Sequence, residues 1–239
     1  MHLARYFVQA VKRFPEAIAV VDEQVRWSYQ NLYEEVWAVA ANVQQLGVKQ
    51  GDRVLVVLKN CRENLVLYWA CQLLGLIYTP VNFRMSLAEL AYCIGDAEPV
   101  LVFYEEESRS IIEAALKQAQ SSARAYVVGA NGVPARGTPT TSSAEGGYEQ
   151  LQRRGASLQA VPPLSDDAIA IMLYTSGTTG RPKGVPRSHL NEASAAEAHI
   201  IQNQYTLFES TIGVMPFYHT MGMRTLLVTT FLNDMPVQQ

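Results

Sequence analysis

Residues Ala168–Val185 read AIAIMLYTSGTTGRPKGV. Ala168 to Tyr174 is an unbroken apolar run, which predicts a buried strand. It passes directly into a stretch dense in glycine and small hydroxyl residues. Gly177, Gly180 and Gly184 permit tight bends and let the backbone approach a ligand closely. Thr175, Ser176, Thr178 and Thr179 set hydroxyls beside backbone N–H groups, and successive N–H groups in such turns form an anion-binding nest. Lys183 adds a positive charge on a flexible stem that can reach phosphate oxygens. A plain solvated linker has no need of a strand leading in, or of a lysine between Pro182 and Gly184. The Walker A pattern, G-x-x-x-x-G-K-[ST], fails here: Gly180 lies three positions before Lys183, and Gly184 stands where Ser or Thr is required.

Working outward, the chain alternates helical and extended patterns. Leu3 to Phe14 has helical spacing of Leu3, Phe7, Val8 and Val11. Ile18–Val21 and Val25–Tyr29 read as strands around a short turn. Ser28 is placed to cap a helix reaching about Leu46, with Gly47 beyond its end and a stripe of Leu32, Val36, Ala40, Val43 and Leu46 facing a core. A strand over Arg53–Leu58 and a helix over Glu63–Leu74 follow. Ser86 caps a helix over Leu87–Ile94. Pro99–Tyr104 then reads as a strand, Ser108–Ala119 as a helix and Ala123–Val128 as a strand. This rhythm predicts an α/β fold, with layered and largely parallel sheets flanked by helices. Ala130–Gly147 breaks it. Rich in Gly, Pro, Ser and Thr, with Val133 its one large apolar residue, it cannot offset its own ordering entropy and reads as a mobile loop inside one domain.

Composition narrows the class. Hydrophobic residues make up 49% and charged residues 17%, enough for a substantial core. The net charge of −3 and the lack of a basic run give no electrostatic basis for a nucleic-acid partner. Cys61, Cys71 and Cys93 are widely spaced, form no CxxC or Cys/His cluster, and read as reduced thiols. The N-terminal stretch MHLARYFVQAVKRF is not a signal peptide, and no apolar run reaches the roughly 20 residues that span a bilayer. The expected location is the cytoplasm.

YTSGTTGRPKGV resembles the signature loop of the adenylate-forming superfamily, which includes acyl-CoA synthetases, luciferases and the adenylation domains of peptide synthetases. WSYQNLYEEV, LGVKQGDRVLVVLKN, LLGLIYTPVNFRMSLAEL and SDDAIAIMLYTSGTTG are similar to that family's blocks in order and spacing, over roughly residues 5–235. The resemblance implies the first part of the large N-terminal AMP-binding domain, with ATP, Mg2+ and CoA as co-reactants and a small carboxylic acid as substrate. It implies that Thr175, Ser176, Gly177, Thr178, Thr179, Gly180 and Lys183 wrap the β- and γ-phosphates of ATP while a carboxylate attacks the α-phosphate, and that the Thr178 hydroxyl touches magnesium. Developing charge on pyrophosphate would be stabilised by N–H groups, Lys183 and the metal.

Thr211–Pro216 reads as a short strand. Phe217 to Met223 after it resembles the family's P-x-F-H-x-x-G block, which places His219 at the acyl pocket. Amino-acid-activating relatives carry Phe-Asp here, so Tyr218-His219 implies an uncharged fatty or aromatic tail. Met215, Met221 and Met223 suit an apolar pocket and suit core packing equally well. His189 reads as structural, at the start of a helix from Leu190 to about Tyr205. The family's Tyr-Gly-x-Thr-Glu block, ribose-binding aspartate, hinge and C-terminal domain with its catalytic lysine are not found among the 239 residues. Two readings follow: a portion of an acyl-CoA synthetase, catalytically incomplete by itself, or a non-catalytic remnant that holds phosphate weakly or associates with another chain, itself included, through exposed strand edges. Limited proteolysis should cut first within Ala130–Gly147; a first cut within Ala168–Gly184 would contradict the ordered strand beneath the loop.

Overall fold

The computed structural model describes residues 2–22, 25–129, 144–159, 163–175 and 181–234. Helix α1 (Leu3–Arg13) leads into an antiparallel pair, β1 (Ile18–Val21) and β2 (Arg26–Ser28). The chain continues through α2 (Tyr29–Gln45), β3 (Arg53–Val57), α3 (Arg62–Leu74), β4 (Ile77–Pro80), α4 (Leu87–Ala97) and β5 (Leu101–Glu105). It then forms α5 (Arg109–Gln118), β6 (Arg124–Val128), β7 (Ala144–Gly147), β8 (Ile169–Thr175), β9 (Lys183–Ser188), α6 (His189–Asn203) and α7 (Thr220–Asp234).

Among the described residues one sheet runs β7-β6-β5-β3-β4-β8-β9. Every neighbouring pair is parallel except β8 and β9. Strict alternation sends successive side chains to opposite faces. Val54, Val56, Leu101, Phe103 and Tyr126 join one core with α1, α2, α3, α6 and α7. Leu55, Val57, Val102, Tyr104 and Val127 join a second core with α4 and α5. The architecture is a three-layer α/β/α sandwich, as the alternating pattern predicts.

Local chemistry sets the helix starts. Ser28, Ser86 and Ser188 each cap a helix reciprocally: the serine hydroxyl accepts the N–H of Asn31, Glu89 or Asn191, whose side chain accepts the serine's own N–H. The predicted α2 stripe is seated as expected, with Leu32, Val36, Ala40 and Val43 buried and Leu46 partly so.

Two expectations need correction. Ala144–Gly147 belongs to strand β7, paired in parallel with β6, so the predicted loop does not extend that far; residues 130–143 lie outside the described residues. Thr211–Pro216 forms no strand, and the element that follows is the helix α7 packed against α1 and α6. Met223 is a core residue of that helix, whereas Met215 and Met221 are exposed. All three cysteines are free, and burial raises their thiol pKa values, that of Cys93 to about 12.

His189 is structural, as its sequence context predicts. It is fully buried, and its Nδ1 accepts the N–H of Leu3 at 3.2 Å, tying α6 to α1. Burial, with the neighbouring His2 second, lowers its pKa to about 4. In the unfolded chain the ring titrates near 6.5, so between pH 6.5 and 4 the unfolded state binds more protons and stability falls as pH falls. Urea unfolding at pH 7.5 and 4.5 should show that His189→Asn removes about 2–3 kcal/mol of this acid sensitivity. Equal pH slopes in the two proteins would refute the assignment.

Candidate functional site

The site is built at the carboxyl edge of the sheet. The chain leaves β3 for α3 on one face and leaves β4 for α4 on the other. That divergence opens a crevice between the two strand ends, the position where open α/β sheets bind ligands. Asn60 follows β3 there and Phe83 follows β4.

Beside β4, strand β8 ends at Thr175 on the same edge. Its antiparallel partner β9 begins there, and the register sets Thr175 directly opposite Lys183, Tyr174 opposite Gly184 and Leu173 opposite Val185. Lys183 is therefore the first residue of a strand and not part of the loop itself. Cross-strand partners lie about 4.5–5.5 Å apart at Cα with their side chains on one face, so the Thr175 hydroxyl and the Lys183 stem share a face at the mouth of the hairpin. Both are exposed. Ser176, Gly177, Thr178, Thr179 and Gly180 lie outside the described residues.

On the opposite face the Tyr174 ring crosses Gly184. A Cβ added at Gly184 would meet Met172 Sδ at 3.1 Å and the Tyr174 ring at 3.2 Å, which gives this glycine a packing reason. The Tyr174 hydroxyl donates to Asp96 Oδ2 at 2.7 Å, pinning the hairpin to the end of α4. Burial first, and then that bond to a carboxylate, push the phenol pKa well up. Just before β9, the Arg181 guanidinium stands 5.7 Å from the Tyr92 ring centroid on α4.

The second motif reaches the same edge by a different route. The Asn60 side chain donates to Gly213 O at 2.8 Å and to Met215 O at 2.9 Å, and its Oδ1 accepts the Phe217 N–H at 3.0 Å. Tyr218 meets Phe83 edge-on at 6.2 Å and lies 4.5 Å from the exposed His219 ring. Lys59 Nζ stands 6.0 Å from the Phe83 ring and 3.2 Å from Glu105 Oε2, whose other oxygen accepts the Lys59 N–H. The structure thus gathers Thr175, Lys183, Asn60, Phe83, Tyr218 and His219 along one edge. Asn60, Lys59 and Phe83 escape sequence reasoning, since their partners lie far along the chain and no periodicity marks them.

The geometry fits a phosphate: an exposed lysine and a hydroxyl are held opposite each other by sheet hydrogen bonds. For magnesium, Thr178 lies outside the described residues, and among those described no group of three or more His, Cys, Asp or Glu side chains could hold a metal. No described helix is long and apolar enough to cross a membrane.

Comparison with known proteins identifies the family. The family model for AMP-binding enzyme matches residues 7–237. The 4-hydroxybutyrate--CoA ligase 2 of Metallosphaera sedula is 26% identical over 90% of this chain and 39% of its own length. The L-proline--[L-prolyl-carrier protein] ligase of Pseudomonas fluorescens is 32% identical over 77% of this chain and 34% of its own. The crystal structure of apo MatB from Rhodopseudomonas palustris superposes with a TM-score of 0.79 at 28% identity, covering 98% of this chain and 44% of that one. The chain thus spans less than half the length of each of these proteins.

Gly222 supplies a direct check on the second motif. A Cβ there would lie 2.6 Å from the Pro216 carbonyl carbon and 2.8 Å from Met215 O, so the first turn of α7 sits hard against that backbone. Glycine to alanine within a helix ordinarily gains about 1 kcal/mol. Here Gly222→Ala should instead cost about 2–3 kcal/mol, read as a lowered midpoint of thermal unfolding. A raised midpoint would contradict the close approach.

Proposed function

This chain belongs to the AMP-binding enzyme family, and from that membership we propose that it is the nucleotide-phosphate-holding portion of an ATP-dependent, AMP-forming acid–thiol ligase. The observation that carries the proposal is the β8–β9 register, which sets Lys183 opposite Thr175 at the carboxyl edge of the sheet. This strand pair holds Thr175 and Lys183 side by side at one edge of the sheet, the lysine and hydroxyl that an anion site would use.

In the proposed reaction a carboxylate oxygen of the substrate attacks the α-phosphorus of ATP. The bond to the bridging oxygen breaks and pyrophosphate leaves, giving an acyl-adenylate; a thiol, that of CoA in the proposed case, then takes the acyl group and releases AMP. Thr175, Ser176, Gly177, Thr178, Thr179, Gly180 and Lys183 would hold the β- and γ-phosphates and meet the charge that builds on the leaving group. Thr178 would be the protein's contact for magnesium, which when bound would supply positive charge against the phosphates. His219 and Tyr218, across the crevice, would border the acid.

The substrate proposed is an uncharged fatty or aromatic acid. Support comes from Tyr218-His219, which offers no carboxylate to pair an ammonium group, and from the acid–CoA ligases among the relatives. The L-proline ligase shows that the family also takes amino acids, so Tyr218 and His219 carry the distinction.

The 239 residues by themselves are proposed to bind phosphate without turning it over, because adenylation needs the α-phosphate, ribose and acid oriented together. Titration calorimetry should show weak binding of ATP or pyrophosphate, and Lys183→Ala should weaken it by about 1–3 kcal/mol. Equal affinity in both proteins would make Lys183 mere surface charge. ATP–pyrophosphate exchange with octanoate or benzoate should stay at background; robust exchange would overturn the catalytic incompleteness and favour a self-sufficient enzyme over a phosphate-holding portion.

A further inference from the structure

The segment before His219 belongs to no sheet, and a single side chain gathers its backbone. Asn60 bonds the backbone of residues 213, 215 and 217. Its amide spends its N–H donors and its acceptor on that backbone. We propose that Asn60 is the positioning residue of the candidate acid site: its primary amide clamps the 213–217 backbone and thereby sets the Tyr218–His219 pair against Phe83 over the β3–β4 crevice.

Two further contacts support the clamp. Asn60 is itself fixed by its position just beyond β3, where the Glu105 carboxylate holds the preceding Lys59 through both its N–H and its ammonium group. The far side of the segment is closed by Gly222, which leaves no room for Pro216 or Met215 to retreat. Between these, His219 is placed by its N–H to Pro216 O at 3.0 Å, and α7 starts with the Met223 N–H on His219 O at 3.1 Å. Ile212 and Val214, 83% and 75% exposed, contribute little packing, so hydrogen bonds hold the segment. No other side chain supplies two donors and one acceptor at this length. Aspartate keeps only the acceptor, and glutamine is one methylene too long.

This inference rests on the reading of His219 as an acid-site residue, and the two are tested separately. Hydrogen exchange of the 239-residue chain, followed by NMR in wild type, Asn60→Ala and Asn60→Asp, reads the clamp. Asn60→Ala should speed exchange of the Phe217 and His219 amides about tenfold while β3 and β5 amides change less than about twofold. The Tyr218–His219 ring cross-peaks should vanish with it. Asn60→Asp should retain part of the Phe217 protection and still lose the ring contact. Unchanged Phe217 and His219 amides in Asn60→Ala would overturn the proposal, as would equal acceleration throughout the core, which would make Asn60 a general stability residue. Octanoate titration then reads the site: it should shift the His219 ring signals in wild type and not in Asn60→Ala. An intact clamp with no octanoate response in wild type would sink the acid-site reading and the positioning role with it, leaving a purely structural clamp.

Discussion

The antiparallel pairing of β8 with β9 is the constraint on which the site depends. Parallel neighbours need a crossover helix, so a chain leaving β8 in parallel fashion would carry its next residues away over a face of the sheet. The reversal keeps both ends of the glycine-rich connection at one edge and brings Lys183 back beside Thr175. It holds because Tyr174 lies across Gly184 and anchors to Asp96, a contact any larger residue at 184 would crowd. In the proposed phosphate site, sheet register would take the part that a helix N-terminus plays elsewhere.

Helix ends divide the labour between the two edges of the sheet. At the carboxyl edge, Ser86 satisfies the first turn of α4 from within the chain, leaving the crevice beside it free of that duty. At the amino edge, arginines from the strand starts answer the carbonyl ends. Arg53 Nε donates to Ala97 O at 2.6 Å at the end of α4, and its terminal nitrogen donates to Glu98 O at 2.9 Å. Arg124 donates to Leu46 O at 2.6 Å at the end of α2. Cations are stabilised at helix C-termini, so these bonds tie the strand starts to the helix ends along the amino edge.

Legibility followed the reach of each signal. Helices with a serine cap and an apolar stripe, such as α2 and α4, could be read to within a few residues, because cap and periodicity are both local. Strand β4 could not: Ile77–Pro80 is short and ends in proline. Nor could β9, where Gly184 and Pro186 disguise a strand that pairs on one side only among the described residues, so that proline's missing N–H costs nothing there. Ala144–Gly147 has no strand propensity and pairs only because β6 offers an edge. The glycines, hydroxyls and lysine after β8 were legible as a candidate phosphate motif, but the placement of Lys183 as the first residue of β9 did not follow from the sequence.

Thr211–Pro216 shows why an accurate local reading can give the wrong element. Its alternation of Ile212 and Val214 with polar and small residues is an extended signal, yet the backbone there pairs with no strand and is bonded by Asn60 at residues 213, 215 and 217. A strand, however, is a relation between two backbones, and here the partner is a side chain. The Val214 N–H meanwhile turns back to Ile212 O at 2.9 Å, tightening the chain where a second ladder bond would otherwise form. An amide clamp offers less than a strand: it fixes a few backbone groups and leaves the flanking side chains exposed. In the proposed acid site, that support would hold Tyr218 and His219 at the crevice mouth with the His219 ring open to solvent.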